Sequence, residues 1–153
     1  MRKWLILSSC TFVLLGSCRN PAMFDENQEI EGSQWKIAQK PKFSVVIEDT
    51  LQNTDVYLNL RNSSCYPYNN IFLFVNTTFP NGKQAKDTLE CILANEKGQW
   101  LGDGLGDIWD NRILFKKNVR FPQKGTYTFE IEQAMRVDPL PCILDVGWRL
   151  EKR

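Results

Sequence analysis

Apolar and polar residues alternate along most of the chain from about residue 40 onward. Phe43, Val45 and Ile47 are separated by polar neighbours, and the same period of two recurs to the C-terminal region. This period predicts strands with one face toward a core, because an amphipathic helix would give a period near 3.6. The pattern marks about seven segments, near residues 43–47, 56–60, 71–75, 89–93, 113–121, 127–131 and 144–150.

Turn-forming residues separate these segments, as in Pro80-Asn81-Gly82 and in the run from Pro122 to Gly125. Several short strands at this spacing favour two packed sheets. We therefore predict an all-β fold, a single β-sandwich of about seven mainly antiparallel strands over residues 41–153, immunoglobulin-like or jelly-roll-like. Residues 71–75 are apolar at every position, which predicts a central strand covered on both faces. Tyr127 suits a tyrosine corner, in which its hydroxyl bonds to upstream backbone.

The N-terminal segment has the plan of a secretory signal. Arg2 and Lys3 precede an apolar run, residues 4–15, that is shorter than the roughly 20 residues a spanning helix needs. The run ends in Leu15-Gly16-Ser17-Cys18, which resembles the lipobox of bacterial lipoproteins. We expect cleavage of residues 1–17 and lipidation of Cys18; the alternative is an ordinary signal peptide with a cysteine near its end. Residues 18–40 are polar and predict a lipidated tether, with one early strand near Trp35.

Composition argues against familiar enzyme mechanisms and against nucleic acid. The 153 residues include no histidine, which excludes Ser-His-Asp and Cys-His machinery. Nineteen basic residues oppose 18 acidic ones, and removing residues 1–17 changes the formal net charge from +1 to −1. Such a balance gives no electrostatic reason to bind nucleic acid. No motif points to a cofactor, so we predict a protein that is not an enzyme.

Three cysteines remain once Cys10 is removed with the signal and Cys18 is lipidated. Three thiols allow at most one internal disulfide. Cys91 lies on an apolar face and reads as a small buried side chain. Cys65 and Cys142 lie in turn-like sequence and could pair in an oxidising compartment. A zinc site is disfavoured because the chain has no CxxC spacing and no histidine.

Residues 95–111 form a glycine-rich segment with two tryptophans and several aspartates. Its glycine spacing matches neither a dinucleotide fingerprint nor a Walker loop. Calcium binding and glycoside hydrolysis both use carboxylates, but the spacing lacks the calcium-loop pattern and no second acidic cluster is evident. The segment is either a loop fixed by tryptophan packing or a protein-contact surface, because rigid aromatics are favoured interface anchors. The candidate contact residues are Trp100, Asp103, Asp107 and Trp109.

A series of short blocks over the predicted domain resembles one protein family. The blocks include Ile47-Glu48-Asp49-Thr50-Leu51, Tyr66-Pro67-Tyr68-Asn69-Asn70, Gly98-Gln99-Trp100-Leu101-Gly102, Gln133-Ala134-Met135-Arg136 and Asp145-Val146-Gly147. Together they resemble the gliding-motility lipoproteins called GldH of the Bacteroidota. The resemblance implies an envelope lipoprotein required for the movement of surface adhesins, in machinery tied to type IX secretion. It supplies the lipidation site at Cys18 and no catalytic residue.

Two further expectations belong to this setting. Asp49-Thr50-Leu51 and Asp87-Thr88-Leu89 resemble the acceptor tripeptide of periplasmic O-glycosylation in Bacteroidota, which makes Thr50 and Thr88 candidate modification sites. Surface-displayed lipoproteins of this group usually carry an acidic run just after the lipidated cysteine. That run is weak here, so we expect a periplasm-facing protein anchored by its lipid.

The predicted function is therefore a membrane-anchored, non-enzymatic accessory component of gliding motility or type IX secretion machinery, acting through contacts with other envelope proteins. The alternative is a periplasmic carbohydrate-binding module. In that reading, aromatic residues form a stacking platform for a glycan; the candidates are Tyr66, Tyr68, Trp100 and Trp109.

Overall fold

The computed structural model describes residues 22–153, so the predicted signal peptide and Cys18 lie outside the described residues. A single 3-10 turn, Glu31–Ser33, is the one helical element in this part of the chain. The prediction of an all-β fold is confirmed. The strands are β1 (Ala22–Glu29), β2 (Gln34–Trp35), β3 (Lys42–Ile47), β4 (Thr54–Ser63), β5 (Asn70–Thr78), β6 (Gln84–Ile92), β7 (Asp103–Leu105), β8 (Ile108–Val119), β9 (Gly125–Gln133), β10 (Leu140–Pro141) and β11 (Ile143–Lys152).

The strands form two antiparallel sheets and one short ribbon. One sheet has the order β1-β11-β4-β8-β7, the other has the order β3-β9-β5-β6, and β10 pairs with β2. Without the three shortest strands, the eight long strands taken in chain order are arranged 1-8-3-6 and 2-7-4-5. That order is the jelly roll, a sandwich of two interleaved Greek keys. It decides between the two sandwich types that the sequence allowed.

The predicted tether of residues 18–40 is wrong for its described part. β1 pairs with β11 from Ala22 opposite Glu151 to Glu29 opposite Asp145, and it forms one edge of the larger sheet. The early strand expected near Trp35 is β2, and the Trp35 side chain is fully buried. Its indole N–H donates to the Gln39 carbonyl at 2.8 Å. Residues 22–40 therefore belong to the domain.

Aromatic side chains join the two sheets across the core. The Trp148 ring of β11 lies between Phe115 of β8, at 5.3 Å between centroids, and Phe129 of the opposite sheet, at 4.8 Å. Burial of such rings supplies much of the stability of a small sandwich. The Tyr127 hydroxyl donates to the Gln123 carbonyl at 3.0 Å and accepts from the Gln123 N–H at 3.1 Å, as expected for a tyrosine corner.

The coverage predicted for residues 71–75 is only half right. Ile71, Leu73 and Val75 are fully buried, but Phe72 on the opposite face is 38% exposed. Phe74 on that same outer face lies under the Lys86 ammonium, which is 3.8 Å from the ring centroid. The Lys86 side chain therefore shields part of this face, and no layer of the described structure packs on it.

The antiparallel order gives the sandwich two distinct ends. The proximal end is where β1 begins at Ala22; it also holds loops 48–53, 79–83 and 120–124 and residues 152–153. The distal end holds segments 30–41, 64–69, 93–102 and 134–142, together with the turn at residues 106–107. The six to twelve residues of each long strand separate these ends.

Candidate functional site

The glycine-rich segment folds into a hairpin at the distal end. Asp103–Leu105 pairs with Ile108–Asp110 at the edge of the larger sheet, and the chain reverses at Gly106 with a φ of +68°. A positive φ favours glycine, which has no Cβ to clash with the backbone. The sequence pattern did not reveal β7, because it has only three residues and all three are exposed.

Trp100 and Trp109 hold this hairpin in place. Their rings stack at 6.4 Å between centroids with 29° between planes, and both side chains are half-buried. The Trp109 indole N–H donates to the Ser64 hydroxyl at 3.2 Å. A Cβ at Gly104 would lie 2.4 Å from the Trp109 ring, so only glycine allows the ring to lie flat on β7. The two tryptophans thus act as packing residues within the loop.

Leucine side chains, which the sequence analysis did not select, are the most accessible apolar groups of this segment. Leu105 at the hairpin turn is 85% exposed and Leu101 is 58% exposed. The predicted contact residues Asp103 and Asp107 are exposed beside them. Ile92 lines the same shallow depression as Leu101, which extends the apolar surface along the sheet edge. Leucines within a glycine-rich turn region, where no strand pattern buries them, were the available sequence signal.

A disulfide fixes the loop on which the hairpin rests. Cys65 and Cys142 are bonded, with 5.9 Å between their Cα atoms, and they join segments 64–69 and 134–142. Ser64 then donates its backbone N–H to the Asp107 carbonyl at 2.8 Å and its hydroxyl to the same carbonyl at 3.1 Å. The hairpin turn is therefore tied to a covalently closed loop.

Cys91 is the free cysteine of the described residues, and its side chain is completely buried. Burial disfavours the thiolate and, together with the charge of Glu90, raises the pKa of the Cys91 thiol to about 12. A thiol in this state is a poor nucleophile at neutral pH. Cys91 is thus a core residue.

Charged side chains cover the outer face of the larger sheet and line a groove of about 280 Å³. The Arg61 guanidinium lies between Asp110, at 2.5 Å, and Asp145, at 3.0 Å. Arg149 is buried and pairs with Asp25 and with Glu151. Burial raises the pKa of Asp145, and the Arg61 charge opposes that rise. Each acid in these pairs already has a cationic partner.

The other selected residues are placed apart from the hairpin or within the core. Tyr66 is buried and its hydroxyl donates to the Asn70 carbonyl at 2.9 Å, while Tyr68 meets its ring edge-on. Thr50 is half-buried in a proximal loop, whereas Thr88 is exposed on edge strand β6. Tyr66 and the stacked tryptophans do not form the open platform that the carbohydrate alternative expected.

Two features are absent from the described range, residues 22–153. Across these residues, no three or more His, Cys, Asp or Glu side chains lie close enough to hold a metal ion together. The same range contains no helix of the length and apolar character that crossing a bilayer demands.

Comparison with known proteins identifies the family. The family model described as GldH lipoprotein matches residues 22–150. A protein of Christiangramia forsetii named gliding motility lipoprotein GldH homolog is 36% identical over 149 residues, which cover 93% of this chain and 91% of that protein. The gliding motility lipoprotein GldH of Flavobacterium johnsoniae is 36% identical over 148 residues, which cover 92% of this chain and 91% of that protein. The chain therefore belongs to the gliding motility lipoprotein GldH family.

Proposed function

We propose that this lipoprotein is a non-enzymatic accessory component of gliding motility or type IX secretion machinery, and that it binds an envelope protein through the β7–β8 hairpin. The observation that carries this proposal is the exposed Leu105 at the turn of a hairpin that is otherwise rigidly held. A preorganised apolar contact loses little conformational entropy when a partner binds. The names of both relatives support the gliding context.

The distribution of reactive groups supports a binding role over catalysis. The chain has no histidine. The Arg61 and Arg149 guanidinium groups are engaged by acids of the outer groove, and Cys91 is buried with a raised pKa. An acid–base or nucleophilic mechanism needs a group whose pKa suits its task and whose side chain reaches a substrate. We therefore assign the protein no reaction and no cofactor.

Replacement of the exposed leucines tests the hairpin directly. We expect Leu101→Ser/Leu105→Ser to fail to restore spreading or type IX export when it replaces the native protein in a deletion strain of a gliding host. Both side chains are largely exposed, so the folded protein should keep its stability and its membrane association. Leu114→Ser is the matched control, because Leu114 is also exposed on β8 but lies on the outer sheet face away from the turn.

Two results would contradict the proposal. Normal spreading and secretion by the deletion strain would show that the machinery does not need this protein. Full activity of the double leucine variant would show that the hairpin is not the contact surface of this protein. Substitution of Trp109 is less informative, because its loss also releases the Ser64 bond and the packing on Gly104.

Lipid attachment at Cys18 is the second part of the proposal. We expect Cys18→Ser to release the protein from membranes, since a thioether-linked lipid and an acylated amine together anchor stably where a single chain does not. Retention of this variant in washed membranes would contradict the anchor. We also propose that the domain faces the periplasm, so external protease should leave it intact in whole cells and digest it after the envelope is opened.

We propose that Thr88 is the preferred site of glycan modification and that Thr50 is modified less. Thr88 is exposed on an edge strand, which gives a transferase access that the half-buried Thr50 lacks. Intact mass measurement of protein purified from its native host tests this order. A glycan mass that persists in Thr88→Ala and disappears in Thr50→Ala would reverse it.

Carbohydrate binding is retained as the second candidate, now at the outer groove. Asp25, Asn27 and Asn59 line this groove, where the Asn59 amide donates to Asp25 at 3.2 Å and to Asn27 at 3.4 Å, and such carboxylate and amide groups are of the kind that bind sugar hydroxyls. A glycan array probed with the protein would reveal binding that Asn59→Ala weakens. An array without any bound glycan would eliminate this candidate.

A further inference from the structure

Few residues separate the predicted lipidation site from the start of the described domain. Only residues 19–21 separate Cys18 from Ala22, the first residue of β1. Four Cα–Cα steps of at most about 3.6 Å each give a reach of about 14 Å. A lipidated Cys18 therefore keeps Ala22, which lies at the proximal end, within about 14 Å of the residue that carries the lipid.

Charge is distributed unequally between the two ends. The proximal loops and residues 152–153 carry five basic and two acidic residues, a formal charge of +3. The distal segments carry four basic and four acidic residues. All five proximal basic side chains are exposed: Lys83, Arg120, Lys124, Lys152 and Arg153. Arg19 adds one more positive charge in the sequence between Cys18 and Ala22.

An exposed leucine accompanies this charge. Leu51 in proximal loop 48–53 is 75% exposed. Its backbone N–H donates to the Asp49 carboxylate at 2.8 Å, which forms a tight turn around Thr50. The same loop carries the two acidic residues of this end, Glu48 and Asp49, and its Asn53 carbonyl accepts from the Arg153 N–H at 3.0 Å, which brings the basic end of β11 close to it. Basic side chains near an exposed aliphatic residue are the combination that binds the interface of an anionic bilayer.

We infer that the proximal end is a membrane-binding surface, with its basic side chains against anionic phospholipid headgroups and Leu51 at the bilayer interface. This inference rests on the proposed lipid anchor at Cys18. The ten-residue β4 runs from the proximal to the distal end and spans roughly 30 Å at about 3.3 Å per residue. The β7–β8 hairpin is thus held away from the membrane, where a periplasmic partner can reach it.

Lipid-headgroup quenching on the full-length lipidated protein tests the inference. A single fluorophore is attached at Asn81→Cys in a proximal loop or at Lys97→Cys in a distal loop, both exposed turn positions. Native cysteines stay silent, because Cys91 is buried and Cys65 is bonded to Cys142. The vesicles contain phosphatidylglycerol with phosphatidylcholine, or phosphatidylcholine alone, and carry a nitroxide headgroup quencher.

We expect the Asn81 label to be quenched at least threefold more than the Lys97 label on anionic vesicles. The additional changes Lys83→Glu and Lys124→Glu should reduce Asn81 quenching at least twofold, while Lys36→Glu and Arg136→Glu at the distal end leave it unchanged. Raising the salt concentration from 0.05 to 0.5 M should also reduce quenching of the Asn81 label, because salt screens the attraction between the basic side chains and the headgroups.

Three outcomes would overturn the inference. Equal quenching of the two labels would show no preferred orientation, and stronger quenching at Lys97 would reverse it. Quenching at Asn81 that ignores both lipid charge and the proximal substitutions would mean that the short tether alone positions the domain. Failure of the lipid anchor is distinguished from all three, because the protein would then lack the acyl mass and would not float with vesicles.

Discussion

The two ends of the sandwich are stabilised in different ways. At the distal end, a disulfide, a pair of stacked tryptophans and the Ser64–Asp107 hydrogen bonds fix the hairpin. At the proximal end, hydrogen bonds without a disulfide hold the described loops, such as Arg120 to the Asn53 side chain at 2.7 Å and Tyr127 to Gln123, and the surface is basic. This difference suits the two contacts proposed above. A small protein contact needs a fixed shape, whereas a bilayer is recognised by charge and apolar groups without a fixed shape.

Opening the distal disulfide should produce the largest change. We expect Cys65→Ala/Cys142→Ala to lower the free energy of unfolding by about 2–5 kcal/mol, because the bond closes a loop with a sequence separation of 77. Urea unfolding followed by tryptophan fluorescence measures this loss. Hydrogen exchange should accelerate in segments 64–69 and 106–107 more than in loop 120–124. A loss below about 0.5 kcal/mol, or equal acceleration at both ends, would break the contrast between the ends.

Disrupting the attachment of β1 should have the next largest effect. A Cβ at Gly147 would lie 1.7 Å from the Asn27 side-chain oxygen and 2.8 Å from the Glu26 carbonyl oxygen. We expect Gly147→Ala to cost about 1–3 kcal/mol by forcing β1 away from β11. Asn27→Ala in the same chain should recover part of this loss. Unchanged stability in Gly147→Ala would mean that β1 is not packed as the register requires.

The buried thiol should give a smaller effect that depends on pH. The pKa of Cys91 is about 12 in the folded chain and near 9.0 for an unperturbed thiol. Its stabilising contribution is therefore complete below pH 9 and is lost as the pH rises toward 12. Between pH 8 and pH 10, the free energy of unfolding should fall by about 1 kcal/mol less in Cys91→Ala than in the unsubstituted protein. Identical falls in both proteins would show that this thiol is not desolvated.

The sequence predicted each strand that has one apolar face and one polar face. All seven predicted segments are strands, because residues such as Val56, Leu58 and Leu60 alternate cleanly with polar neighbours. β1 escaped prediction because it is an edge strand whose apolar contribution is limited to Met23 and Phe24, both only partly buried. The choice between the immunoglobulin and jelly-roll types depends on the order in which the strands pair, and the alternation of residues along the chain does not contain that order.

The sequence pattern selected the segment of the candidate site, but the exposure of its side chains depends on packing that only the structure shows. Glycine density marked residues 95–111, and tryptophans suggested interface anchors. Their roles depend on contacts that sequence spacing cannot supply, since Trp109 packs on Gly104 and bonds to Ser64, a residue 45 positions earlier. The same packing turns Leu105 outward. Likewise, the charge contrast between the ends emerges only after antiparallel pairing sorts the loops into two groups.

Site-specific photocrosslinking in native membranes tests the two-ended account most directly. A benzophenone amino acid is placed at Leu105 in one strain and at Lys124 in another, and adducts are separated after irradiation. We expect a discrete protein adduct from Leu105 and a lipid adduct, without that protein, from Lys124. A protein adduct from Lys124 with none from Leu105 would contradict it.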